Sequence, residues 1–151
     1  MASVNIKQLK KLRNETQASI ADCRRALEES EGNYEKAFEW LRKHGVKKAG
    51  EKKERETSQG IVHAYIHQNK RIGAMVELLC ETDFVARTDE FLHLANELAM
   101  QVAAMNPKDV ELLLKQEYIR DASKTVSDLV KETIAKLGEN IVVKRFERLA
   151  I

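Results

Sequence analysis

The chain has 151 residues, 43% hydrophobic and 33% charged, a globular composition long enough for one ordinary domain or two small ones. Its 26 Lys and Arg against 24 Asp and Glu leave a net charge of +2, which excludes a general electrostatic pull toward nucleic acid or membrane. The two cysteines, Cys23 and Cys80, make no disulfide framework. No apolar run approaches the ~18 residues of a membrane span, and Met1 to Lys7 lacks the apolar stretch of a signal peptide. A cytoplasmic protein is expected.

Residues 1–45 predict three short helices. Ile6, Leu9 and Leu12 make one stripe; Ile20, Cys23 and Leu27 make a second; Tyr34, Ala37, Phe38 and Leu41 make a third. Ser19 with Asp22 reads as a capping box, Asn33 as an N-cap and Gly45 as a C-terminal cap. Trp40 is expected in or beside this thin core. Residues 46–59, VKKAGEKKERETSQ, read as a charged, partly helical linker whose lysines form a solvated face.

Residues 60–151 predict a second domain. GIVHAYIH and IGAMVELLC are strand candidates, joined through Gln68 to Arg71 as a hairpin. A helix follows from about Asp89 to Met105, with Phe91, Ala95, Leu98, Val102 and Met105 inward, stopped by Asn106-Pro107. A short helix covers Val110, Leu113 and Leu114. Another, from about Lys124 to Leu137, turns Val126, Leu129, Val130 and Leu137 inward and ends at Gly138. Asn140 to Phe146 gives a third strand. The order β-β-α-α-β makes this an α+β protein: an N-terminal three-helix bundle joined to a three-stranded antiparallel sheet covered by helices on one face. The apolar second strand predicts burial on both sides, and a second copy packed on the sheet is the economical way to supply it.

The chain carries neither G-x-x-x-x-G-K-[ST] nor G-x-G-x-x-G, so no phosphate cradle and no cofactor are expected. His63 and His67 are separated by roughly 13 Å of strand, too far for one metal ion. Cys80, at the end of an apolar strand, reads as a small core residue, and no nucleophile–base pairing is visible. No catalytic residue, no metal and no enzyme chemistry are expected. One feature stands out. At the junction between the second strand and the long helix, where Gly, Asn, Asp or Ser are usual, the chain places Asp83 beside Phe84.

ETDFVARTDEF, residues 81 to 91, resembles the signature of the elongation factor Ts family. ADCRRALEESEGNYEKAFEWLRKHG (21 to 45) resembles that family's N-terminal module, a UBA-like bundle similar to ubiquitin-associated domains. GIVHAYIH, RIGAMVELLCETDFVA and KLGENIVVKRF follow in the family's order. Two departures are visible: Thr16 to Ile20 replaces a Gly-Ala-Gly-Met type stretch, and Arg24 stands where Lys is common.

The resemblance implies a guanine nucleotide exchange factor for elongation factor Tu in translation elongation. It implies binding to the GDP-bound and nucleotide-free GTPase, with no direct contact to nucleotide. In that reading Phe84 wedges into the GTPase near its Mg²⁺ and phosphate site, Asp83 anchors the loop, and Thr82 and Val85 complete the contact. Leu137 and Gly138 match a second contact, and Ile20 and Arg24 a third on the bundle. His67 resembles a histidine of the second core copy in longer members, so His67 of another subunit would serve. The resemblance is to a short, single-core-copy form, a homodimer giving a 2:2 assembly. An alternative is an RNA- or ribosome-associated module using Arg42, Lys43, Lys47, Lys48, Lys52, Lys53 and Arg55, although it lacks interleaved aromatics. A ubiquitin-like adaptor would use only the first 45 residues and leave the second domain unexplained.

Overall fold

A computed structural model of the chain describes residues 4–151, apart from the side chain of Val46. The elements are α1 (Ile6–Thr16), α2 (Ile20–Glu29), α3 (Tyr34–Lys52), β1 (Gln59–Ile66), β2 (Ile72–Cys80), α4 (Asp83–Ala86), α5 (Asp89–Met105), α6 (Val110–Lys115), β3 (Glu117–Tyr118), β4 (Asp121–Thr125), α7 (Val126–Leu137) and β5 (Ile141–Ala150).

The bundle α1–α3 closes over Leu12, Cys23, Ala26, Leu27, Ala37 and Leu41, with Leu9, Tyr34 and Trp40 at its edge. Its helix starts follow side-chain chemistry. Asn5, Ser19 and Asn33 each accept a backbone N–H of the first turn. At Ser19 the capping is one-sided, because Asp22 accepts the Ser19 hydroxyl at 2.6 Å rather than its backbone N–H. The full reciprocal box is at Thr125 and Asp128, where α7 begins. Ile6, Ile20 and Phe38, expected inside, are exposed. A bundle this small buries only the centre of each stripe.

Gly45 is not a helix end. Helix α3 runs through it to Lys52, so residues 46–52 of the expected linker are helical. The reason is tertiary. Gly45 faces α7, and a Cβ there would stand 3.1 Å from the Ala135 Cβ. The glycine permits close helix approach, not a left-handed cap.

Strands β1, β2 and β5 form one antiparallel sheet in the order β1-β2-β5. Its inner face, Ala74, Val76, Leu78 and Cys80 of β2, packs on Phe91, Leu94, Leu98 and Val102 of α5. Met105, expected inward, is exposed at the end of α5. Burial of β2 on both sides, also expected, is not found within one chain. The opposite face carries Val62 at 63% exposure and Leu149 at 80%, with Ile66 and Met75 also open. In its middle Arg145 Nε donates to Glu77 at 2.6 Å, beside a bulge where the register skips Lys144.

Two elements differ from the sequence expectation near the C-terminal half. β5 extends past Phe146 to Ala150, paired with β2 back to Ile72. A small hairpin, β3–β4, occupies residues expected to lead into the helix, so α7 begins at Val126 rather than Lys124. The hairpin hangs on polar groups of α5. Buried Glu97 accepts from the Tyr118 hydroxyl and from Arg120 Nε, while Gln101 donates to the Glu117 carbonyl and accepts from Ile119 N–H. Burial, the hydrogen bond to Glu97 and its charge push the Tyr118 phenol well above its usual range.

Candidate functional site

Strand β2 ends at Cys80, whose thiol is buried and donates to the Thr82 carbonyl at 3.1 Å. Burial, then the charge of Glu139, holds that thiol above its ordinary pKa, despite backbone hydrogen bonds pulling it down. The chain then turns. Thr82 is extended, and its hydroxyl accepts the Val85 N–H at 3.3 Å, so Asp83–Ala86 forms a single helical turn, α4. Arg87 N–H returns to Phe84, and Thr88 caps the next helix by accepting from Phe91 N–H. The junction is thus two N-caps in tandem, and Asp83 is neither of them. Its carboxylate pairs with Arg87 at 3.1 Å on the surface.

Phe84 is 79% exposed. Its neighbours Val85 and Ala86 are buried in the sheet–helix core. The turn therefore divides its apolar residues: Val85 and Ala86 seat it, and Phe84 stands out from it. Val85, expected to touch a partner, has its side chain enclosed by its own domain.

The turn after α7 lies against this one. Gly138 adopts φ 77° and its N–H closes on the Ile134 carbonyl. Leu137 is half-buried against the core. Glu139, one residue on, accepts hydrogen bonds from Glu81 N–H, Thr82 N–H and the Thr82 hydroxyl. Thr82, Phe84 and the Leu137–Gly138 turn are thereby brought to one corner of the domain. Glu139 itself was not expected from the sequence. A lone acid after a helix-ending glycine carries no periodic signal, and its partners lie 57 and 58 residues away.

The remaining candidates lie elsewhere. Ile20 opens α2 and is exposed. Arg24, one turn on, is exposed and donates to Glu28 at 2.9 Å. Below them, burial pushes the Asp22 carboxyl up, but hydrogen bonds from Lys48 and Ser19 and the charges of Lys48 and His44 outweigh it, leaving its pKa lowered. His67 follows the last residue of β1, with its Nδ1 3.0 Å from the Tyr65 hydroxyl. Since Gln59 at the other end of β1 pairs with Cys80, His67 and Phe84 sit at opposite ends of the sheet, roughly 25 Å apart along the strand. Within one chain they do not share a contact. In the basic 42–55 stretch, Lys43, Lys48 and Arg55 are ion-paired with Glu39, Asp22 and Glu81. No helix among the described residues is long and apolar enough to cross a membrane.

These features define an α+β protein with a helical bundle that presents one large aromatic from a braced corner. The family model described as "Elongation factor TS" matches residues 81–151, which hold the corner, α5 to α7 and β5. A protein of Oleidesulfovibrio alaskensis named "Elongation factor Ts" is 40% identical over 196 aligned positions, covering 100% of this chain and 99% of that protein. One of Thermosipho melanesiensis with the same name is 39% identical over 193 positions, covering 98% of each. One of Nostoc sp. strain PCC 7120 is 46% identical over 151 positions, covering 100% of this chain and 48% of that longer protein. The chain belongs to the elongation factor Ts family. It is a translation elongation factor by that membership. The Oleidesulfovibrio alignment has more positions than the 151 residues of the chain, so that relative carries residues without a counterpart here.

Proposed function

We propose that the protein is the guanine nucleotide exchange factor of elongation factor Tu and works in the cytoplasm by binding, without covalent chemistry. Phe84 is the wedge. A large aromatic at 79% exposure on a braced turn is the observation that carries this reading. Burying that ring in a partner contributes about 1.5–3 kcal/mol, delivered to one pocket. The mechanism is linkage. A protein that binds the nucleotide-free GTPase more tightly than the GDP form lowers nucleotide affinity by the same factor, whereas equal affinity for both would shift nothing. Phe84 entering near the Mg²⁺ and phosphate site supplies that difference. Asp83, Thr82 and the Leu137–Gly138 turn frame the contact, and Ile20 with Arg24 add a second footprint from the bundle.

The functional unit is a pair of chains packed through the outer sheet face, where Val62, Ile66, Met75 and Leu149 stand open. Such a pairing covers the apolar face that one chain leaves bare and gives a 2:2 assembly, in which His67 reaches the GTPase held by the other chain.

Labelled GDP release from elongation factor Tu tests the reading. Wild type should accelerate release, and Phe84→Ala should reduce the acceleration about 10- to 100-fold with no loss of thermal stability, matching ~1.5–3 kcal/mol of buried ring. An alanine variant as active as wild type overturns the wedge. Elution mass of the free protein and of its mixture with elongation factor Tu, with and without GDP, reports the pairing and the antagonism.

A further inference from the structure

The Phe84 turn is held from outside its own segment. Beyond the last β2–β5 ladder pair, Cys80 with Ile141, stand Glu81 and Asn140. Here side chains continue what the backbone stops. Glu139 Oε2 accepts the N–H groups of Glu81 and Thr82 at 3.1 and 3.0 Å, and its Oε1 accepts the Thr82 hydroxyl at 2.7 Å. In return, Glu81 Oε1 accepts the Asn140 N–H at 2.7 Å. The Asn140 side-chain amide donates to the Arg55 and Lys53 carbonyls, at 2.9 and 3.3 Å, just past α3. One acid after Gly138 thus ties together the base of the Phe84 turn and the end of α7, and its neighbour ties both to the segment leaving the bundle.

We propose that Glu139 is a positioning residue for exchange: its carboxylate locks the Phe84 turn to the Leu137–Gly138 turn so that both meet the GTPase as one rigid surface. The proposal rests on the exchange reading above. A wedge transmits strain only if its own base does not yield, and a loop ordered before binding spends none of its binding energy on ordering. The chemistry calls for a carboxylate. Two adjacent backbone N–H groups converge on one oxygen while the hydroxyl needs a second acceptor, and charge-assisted bonds of this kind are roughly twice as strong as neutral ones. Glutamine would keep one acceptor oxygen and set an NH₂ against the Thr82 hydroxyl.

The test uses the full chain with elongation factor Tu loaded with fluorescent GDP. Wild type is measured first; if it does not accelerate release, the exchange reading itself fails, separately from this proposal. Given wild-type exchange, Glu139→Ala should lower the saturating release rate at least tenfold, with a smaller change in the half-saturating concentration. Glu139→Gln should fall between, and Glu132→Ala, which removes an ion pair with Lys124 elsewhere on α7, should match wild type. In a Phe84→Ala background, Glu139→Ala should add little, because it acts through the same ring. Should Glu139→Ala fail to fold, Glu139→Gln carries the same comparison. A Glu139 variant with full saturating rate, or a loss that adds undiminished to that of Phe84→Ala, overturns the assignment.

Discussion

The bundle and the Phe84 corner both present apolar or charged side chains to solvent, but they hold them differently. On the bundle, Ile20 and Arg24 ride on a helix surface over a core of small and medium residues, Cys23, Ala26 and Leu27 among them. At the corner, Phe84 rides on one helical turn whose entry is fixed by a hydrogen bond within the turn and three accepted by Glu139. Beneath it lies the larger core of α5 and the sheet. The difference teaches that placement precision comes from the polar frame and the core beneath, not from the length of the element.

Core substitutions break the comparison hardest. Leu98→Ala, at a fully buried position of α5, should remove about 2–5 kcal/mol and lower the main thermal transition, whereas Leu27→Ala should remove a similar amount locally and loosen the bundle first. Amide exchange resolved by residue checks this: loss of protection confined to α1 to α3 in the second variant, and spread over β2 and α5 in the first. Equal loss everywhere in both would mean that bundle and core unfold as one.

A smaller effect is expected at the second turn. Gly138→Ala meets no neighbouring atom within 4 Å, so its penalty is the left-handed backbone alone, about 1–2 kcal/mol, read as a shift in denaturation midpoint. Acid sharpens the contrast further. Asp22 has a folded pKa below its ordinary value of 3.8, so its stabilisation is fully present above the unfolded value and is lost as pH falls through the folded one. Asp128 behaves the same way in the first turn of α7, held down first by the Thr125 backbone N–H and against burial. Lys48→Ala should flatten the acid dependence of bundle protection below about pH 4 while leaving that of α7 unchanged. The smallest change belongs to Arg24→Ala, a few-fold slower association with elongation factor Tu at low salt that vanishes at high salt.

Much of this fold is legible in the residues. The centres of the stripes of α2 and α5, the cap at Asn33, and the stop at Gly138 are local chemistry, and local chemistry can be read in order along a chain. What escapes is set by distant partners. Gly45 lies inside a helix because Ala135 needs the space. The β3–β4 hairpin has a polar sequence without alternation, and it is kept in place by Glu97 and Gln101 from another element. The polar tail of β5 joins the sheet because β2 has an edge to offer. At the corner, the odd pairing of Asp83 with Phe84 marks the place, but the burial of Val85 and the grip of Glu139 depend on what surrounds the turn.

The seam between Gly45 and Ala135 has a mechanical consequence. Helix α3 leaves the bundle and runs without interruption onto α7, so the contact between Gly45 and Ala135 sets how closely these two helices approach. A bulkier residue at position 45 would act as a shim, prising α3 away from α7 and tilting the bundle outward.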